Sequence, residues 1–341
     1  MRFLSRELEE LLDVARCELA DFVGADPEDL VLLPNATTGV NTVLRSLKFE
    51  PEDELLITNH GYNACRNALN FIASRTGAKI IVAEIPFPIA SAAQVIEAVM
   101  VSVSPRTRLA LLDHVTSQTG IIFPLAALVS QLTEQGIATL VDGAHAPGML
   151  PLDLHTIGAA YYTGNCHKWL CAPKGAAFLY VQSALQSAIR PLTISHGANS
   201  PRTDRSRFQL EFGWTGTDDP TAYLCIPQAI QFMGSLLPGG WPEVMAHNHT
   251  MVLSARQKLC QALGTPLPSP NEMIGSLAAI PLPDGESSRL QDQLLEQFNI
   301  EVPVFPWPEA PQRLIRISAN LYNQLADYKF LADALIELLA G

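Results

Sequence analysis

Short apolar runs rich in strand formers alternate with helix-like segments over the first half of the chain. Leu30-Val31-Leu32-Leu33, Ile137-Ala138-Thr139-Leu140-Val141, Ala159-Ala160-Tyr161-Tyr162-Thr163-Gly164 and Gly175-Ala176-Ala177-Phe178-Leu179-Tyr180-Val181 read as strands. Thr42 to Leu47 reads as helix, and the opening Met1 to Leu12 has an acidic amphipathic helical pattern. Such alternation predicts an α/β fold around a mainly parallel sheet. Thr193 to Thr217 is polar and irregular. Helical patterns follow at 220–236 and again after Pro238-Gly239-Gly240-Trp241-Pro242. From about Pro268 the pattern changes to the apolar Gly275 to Leu282, then a helix at Ser287 to Phe298, a strand around Val302 and Arg316, and a last amphipathic helix at Ala326 to Leu339. The chain carries no internal repeat or low-complexity tract.

Two of the apolar runs end in chemistry. Asp142 follows Leu140-Val141 at Asp-Gly, where an open α/β sheet places its ligands at the carboxyl ends of strands. Lys168 closes Asn165-Cys166-His167-Lys168, 26 residues later, on a turn between two apolar strands. Apolar surroundings depress a lysine pKa and make it a nucleophile. Pyridoxal phosphate needs such an amine for its aldehyde and a carboxylate for its ring nitrogen. A third segment, Pro34-Asn35-Ala36-Thr37-Thr38-Gly39-Val40-Asn41, sets small hydroxyl residues and a glycine at a helix start, which suits an anion such as a phosphate. Taken singly, these are a turn cap, a surface lysine and an N-cap. Together they are better explained by a phosphorylated cofactor.

These residues resemble the class V, fold-type I pyridoxal-phosphate enzymes, within the aminotransferase and cysteine desulfurase superfamily and closest to its isopenicillin N epimerase-like branch. The resemblance runs over nearly the whole chain. It implies a three-layer fold-type I transferase: an N-terminal helix and large cofactor domain over 1–238, and a smaller α+β domain over 239–341. The irregular 193–217 stretch becomes an active-site flap and subunit contact. Thr37 and Thr38 match a phosphate-binding pair, His60 the aromatic that stacks on the cofactor ring, and Ser117 a side chain near the ring hydroxyl. Asp142 matches the ring-nitrogen partner, and His145 a residue beside the cofactor. Asn165 and His167 match phosphate-holding positions, and Lys168 the lysine that carries the cofactor. Thr217 matches a phosphate ligand given by a neighbouring subunit, so a homodimer with shared active sites is implied. Arg316 matches the arginine that forks onto a substrate α-carboxylate, a bidentate task for which guanidinium is shaped.

The implied function is action at the α-carbon of an amino acid, by epimerisation or transamination, with Lys168 as base. Elimination of a β-substituent, a C–S lyase outcome, is the alternative, and a non-catalytic cofactor-binding homologue is a second. Epimerisation needs an acid on the far face of the ring, for which His60 and Tyr62 are candidates. Cysteine desulfurases carry a nucleophilic cysteine shortly before the carboxylate-binding arginine. Ile300 to Pro308 contains none, which argues against persulfide chemistry. Relatives usually begin with a Gly-rich segment ahead of the helix that opens this chain, so substrate binding is the function most exposed to its absence.

Composition narrows the partners. Lys plus Arg at 22 against Asp plus Glu at 34 gives a net charge of −12, which opposes nucleic-acid binding through phosphate neutralisation. No apolar run is long enough to span a bilayer, and the start lacks a signal-peptide core, so a cytoplasmic location is expected. The six cysteines include no C-x-x-C pair and suggest buried thiols. His60, His114, His145 and His167 match no metal-binding spacing, and no metal is expected.

Overall fold

The structure is a computed structural model that describes residues 2–340. Ten strands form two sheets: β1 (Leu30–Leu33), β2 (Glu54–Thr58), β3 (Lys79–Ala83), β4 (Thr107–Asp113), β5 (Ala138–Asp142), β6 (Tyr161–Asn165) and β7 (Ala177–Val181) in the first, and β8 (Leu277–Leu282), β9 (Val304–Pro306) and β10 (Arg313–Ser318) in the second. The first sheet has the order β1-β7-β6-β5-β4-β2-β3. From β3 to β6 the strands pair in parallel, while β7 pairs antiparallel with both β6 and β1. The expected parallel sheet is therefore found with one reversed strand. The second sheet, β8-β10-β9, is antiparallel.

Side chains alternate across a strand, so parity decides which layer each residue meets. Leu55, Leu109, Leu111, Leu140 and Leu179 pack on the side of the Ala36–Ser46 and Asn63–Thr76 helices, with Val40, Val43, Leu69 and Ile72. Leu56, Ala110, Leu112, Val141 and Phe178 face the other way, against Leu128 and Leu132 of the Leu125–Glu134 helix. That second cluster continues without a break through Val252 and Leu259 to Ile280, Ile315 and Leu335. The second sheet and the C-terminal helix Leu325–Leu339 thus share a core with the first sheet. This shared core holds β10, and with it Arg316, fixed relative to β4 and β5.

The 193–217 stretch differs from its irregular reading. It contains a helix, Arg207–Gly213, whose start is capped by the Ser206 hydroxyl accepting from the Gln209 N–H at 3.1 Å. Phe208 and Phe212 anchor it, one turn apart, on the Val31 and Leu33 side of β1. No helix among the described residues is long and apolar enough to cross a membrane.

Candidate functional site

Parity also builds the site. Asp113, Asp142 and Asn165 end β4, β5 and β6, in phase with Leu111, Leu140 and Tyr161, so they emerge on the layer of the Ala36–Ser46 helix. That helix starts beside them because Gly39 has no side chain: a Cβ there would stand 2.2 Å from Thr163 Oγ1. The close approach lets the Ala36 N–H donate to Asn165 Oδ1 at 2.8 Å, which leaves the Asn165 amide N–H₂ as a donor. Gly143 does similar work after β5, since a Cβ would lie 2.1 Å from the Tyr162 ring, whose hydroxyl meets His114 Nδ1 at 2.8 Å.

A cavity of about 190 Å³ opens between these strand ends and the helix start. Thr37, Tyr62, Asp113, Ser117, Asp142, His145, Asn165, His167 and Lys168 are on its walls. Eight of the expected residues are brought together here: seven line the cavity and Arg316 joins them through Ser117. Arg316 Nη1 donates to the Ser117 carbonyl and, at 3.3 Å, to Ser117 Oγ, while its buried Nε has no hydrogen-bond partner.

The remaining three sit elsewhere. His60 is 1% exposed, with Nδ1 against Thr119 Oγ1 at 2.7 Å and Nε2 against the Ile85 carbonyl at 3.1 Å, and Trp307 packs edge-on against its ring. Both ring nitrogens are committed and the ring is off the cavity wall, where Tyr62 stands instead. Burial lowers the His60 pKa to about 4. Thr38 turns its hydroxyl back to Asn35 Oδ1 at 3.0 Å, beside the N-cap bond from its own N–H at 2.8 Å, and so braces the helix start instead of lining the cavity. Thr217 lies exposed on the segment after Trp214, away from the cavity walls.

Lys168 sits on a loop closed by hydrogen bonds from the Cys166 and His167 N–H groups to the Ala176 carbonyl, at 2.9 and 3.2 Å. Its Nζ lies 2.9 Å from His145 Nε2, and the Trp169 indole N–H reaches His145 Nδ1 across a long 3.4 Å. An indole N–H can only donate, so Nδ1 must accept. Burial, then the Lys168 charge, hold the His145 pKa well below its usual value, so the ring is neutral and carries its proton on Nε2. That proton points at Lys168, which can receive it only through the lone pair of a free amine. Burial lowers the Lys168 pKa to about 8, against the opposing pull of Asp142.

At the helix-start end of the cavity, His167 Nδ1 is 2.8 Å from the Ala176 carbonyl, which fixes the proton there and leaves Nε2 unprotonated. The Thr37 N–H and hydroxyl make no hydrogen bond among the described residues. Thr37 and the Asn165 N–H₂ group thus form a donor set at a helix N-terminus, the chemistry that holds a phosphate, with the unprotonated His167 Nε2 beside them. Asp142 accepts from the Ala144 N–H at 3.0 Å and from the Cys65 thiol at 3.1 Å. Burial, then Asp142, push the Cys65 thiol up, so it remains a donor. Sequence reasoning passed over Tyr62 as a cavity wall, and it missed Asp113, Cys65 and Trp169.

Comparison with known proteins gives this arrangement its relatives. A model of the family described as aminotransferase class-V matches residues 1–327. Isopenicillin N epimerase of Streptomyces clavuligerus is 36% identical over 348 residues, covering 98% of this chain and 86% of that protein. Putative L-cysteine desulfhydrase 1 of Oryza sativa subsp. japonica is 30% identical over 378 residues, covering 99% and 77%. The cysteine desulfurase CsdA of Escherichia coli superposes with a TM-score of 0.81 at 19% identity, over all of this chain and 86% of that one. The fold is that of the fold-type I pyridoxal-phosphate enzymes. By its family match and its identity to the epimerase, the chain belongs to the class-V aminotransferase family, whose cofactor is pyridoxal 5'-phosphate.

Proposed function

We propose that this protein removes the α-proton of an amino acid joined to pyridoxal 5'-phosphate, with Lys168 as the base. The observation that carries the reading is one cavity holding a lysine whose pKa burial lowers to about 8, a buried carboxylate and, joined through Ser117, a half-buried guanidinium with an unpartnered Nε. The cofactor, when bound, supplies a protonated ring that accepts the electron pair left at the α-carbon.

Thr37, Asn165 and His167 would hold the phosphate, with Thr38 acting through Asn35. Asp142 would hold the ring nitrogen protonated, and Tyr62 would cover the ring. Ser117 and His145 would lie beside the ring hydroxyl. Arg316, already oriented by Ser117, has donors to offer a substrate carboxylate. Lys168 would then take the α-proton on Nζ, once its lone pair turns from His145 Nε2–H to the substrate.

Epimerisation follows when a second group returns a proton to the opposite face. With both nitrogens of His60 engaged, the Tyr62 hydroxyl is the candidate. Loss of a β-substituent with cleavage of a C–S bond is an equal reading, favoured by the withdrawal of His60 and by the similarity to the desulfhydrase. Transamination would need Lys168 to move the proton away from the α-carbon, water to release a 2-oxo acid, and a second 2-oxo acid to take up the amino group.

A homodimer is part of the proposal. Leu4, Leu8, Leu12, Leu33, Leu192 and Trp214 help line an open depression of about 630 Å³, next to the Thr217 segment. A second copy seated there would bring its own Thr217 toward a neighbouring site.

The deciding experiment incubates cofactor-loaded protein with a panel of L-amino acids in D₂O. Deuterium at Cα with a D-isomer on chiral chromatography supports epimerisation. Release of a 2-oxo acid with sulfide from cysteine supports the lyase. A spectrum unchanged by every amino acid, with no exchange, overturns the enzymatic reading in favour of a non-catalytic homologue.

A further inference from the structure

The cavity floor holds two carboxyl groups where the proposed chemistry uses one. In the parallel pairing of β4 and β5, Asp113 stands opposite Asp142, so the two side chains leave the sheet on the same face. Both line the cavity, at 5% and 6% exposure. Lys168 is the cation on the shared wall, and Arg316 is reached only through Ser117. Cys65, on the Asn63–Thr76 helix, spends its thiol proton on Asp142. His145 and His114 are neutral from burial, and Tyr162 is a protonated phenol. Among the described residues, no group facing the pair supplies a second positive charge. Two carboxylates side by side with one weakly charged amine cannot both ionise cheaply, so one keeps a proton.

We propose that Asp113 is carried as the neutral carboxylic acid, a positioning residue whose proton leaves a single negative charge at the cavity floor, on Asp142. The backbone N–H groups of Tyr62 and Asp113 itself favour charge on Asp113, but Asp142 has the Ala144 N–H at 3.0 Å and, in addition, the Cys65 thiol at 3.1 Å, and the charge is assigned to it. Burial, then the Asp142 charge, raise Asp113 well above the usual carboxylate range, which agrees. Its consequence, a floor that presents one charge to the cofactor ring nitrogen, rests on the role of Asp142 given above. The retained proton itself does not.

The sign of the linkage is definite. With its folded pKa raised, Asp113 binds its proton more tightly when folded, so its contribution to stability is complete at low pH. That contribution is lost as pH rises through the folded value. Asp113→Asn keeps size and a donor and cannot ionise. The experiment compares unfolding midpoints of the full wild-type chain and Asp113→Asn, with and without cofactor, from about pH 5 to 9. We expect the variant to gain on the wild type progressively as pH rises. A difference independent of pH overturns the proposal.

Infrared spectra of chains labelled with ¹³C-carboxyl aspartate give a second readout. A protonated-carboxyl band should persist at pH 7 in the wild type and disappear in Asp113→Asn. If that variant does not fold, Asp29→Asn, which removes another aspartate with a raised pKa, must keep the band. Absence of the band in the wild type at pH 7 overturns the assignment. Both measurements work on the cofactor-free chain, so failure here and failure of Lys168 to react with cofactor are separate outcomes.

Discussion

Lys168 Nζ lies 2.9 Å from His145 Nε2, and the opposite nitrogen of the same ring faces the Trp169 indole N–H. The imidazole therefore relays a preference from an indole to an amine. The donor at Nδ1 forces the ring proton onto Nε2, and that proton selects the unprotonated lysine. Free amine is the form that attacks an aldehyde. The rate of cofactor capture by the apoprotein should rise with pH and level off above about 8, as Lys168 loses its proton. Stopped-flow absorbance checks this, and a midpoint near an ordinary lysine value would contradict it.

Trp169→Phe keeps the aromatic packing beside Met149 and Leu277 and deletes the donor. His145 is then free to carry its proton on Nδ1 and accept from a Lys168 ammonium through Nε2. The capture midpoint should move upward by up to roughly one pH unit, since one ordinary hydrogen bond is worth about 1 kcal/mol and a pH unit about 1.4. A midpoint that stays put would assign the effect to burial alone.

Lys168→Ala should cut α-deuterium exchange by at least about 100-fold, the usual scale for removing a general base. It should also remove the pyridoxyl mass that borohydride leaves on the peptide containing residues 165–168. Cofactor phosphate would still be held by Thr37, Asn165 and His167. Exchange at the wild-type rate would dismiss Lys168 as the base.

If Arg316 holds the substrate carboxylate as proposed, it separates substrate binding from cofactor binding. Its Nη1 is spent on Ser117 and its Nε is buried without a partner, so a carboxylate would satisfy an orphan donor. Arg316→Lys keeps the charge and loses the fork. A charge-assisted hydrogen bond is worth about 1.5–3 kcal/mol, so kcat/KM should fall roughly 10- to 100-fold. Cofactor affinity should hardly change. An equal loss in both would place Arg316 in the scaffold rather than at the substrate.

The parts legible in the sequence are those whose meaning is local. An apolar run ending at Asp142, a small-residue helix start at 35–39 and a lysine between two strands each keep their sense in three dimensions. Asp113 does not, because Asp-His after an apolar run is an ordinary turn until the register sets it opposite Asp142. His60 and Tyr62 sit at the same end of β2, two residues apart. Only packing against Phe87, Phe123 and Trp307 decides that His60 is drawn into the core while Tyr62, 44% exposed, reaches the cavity. The Arg207–Gly213 helix is too short for a periodic pattern, and its stability comes from Phe208 and Phe212 against β1. Thr217 stands exposed and away from the cavity walls.

Gly39 offers a test of how the fold delivers the phosphate end. Alanine there would gain up to about 1 kcal/mol in helix propensity. It would also place a Cβ 2.2 Å from Thr163 Oγ1, whose hydroxyl donates to the Phe178 carbonyl at 2.8 Å and cannot turn away freely. Overpacking costs about 1–3 kcal/mol, so the clash wins and Gly39→Ala should be destabilised by roughly 1–2 kcal/mol in urea unfolding. Relief requires the helix start to retreat, which breaks the 2.8 Å bond from Ala36 N–H to Asn165 Oδ1 and loosens the donor set around Thr37. Cofactor affinity should therefore fall more than stability alone would demand. Adding Thr163→Ala restores the space, so the double variant should recover affinity although it loses the Phe178 hydrogen bond. If the two substitutions weaken cofactor binding additively, close approach at Gly39 is not what positions the helix.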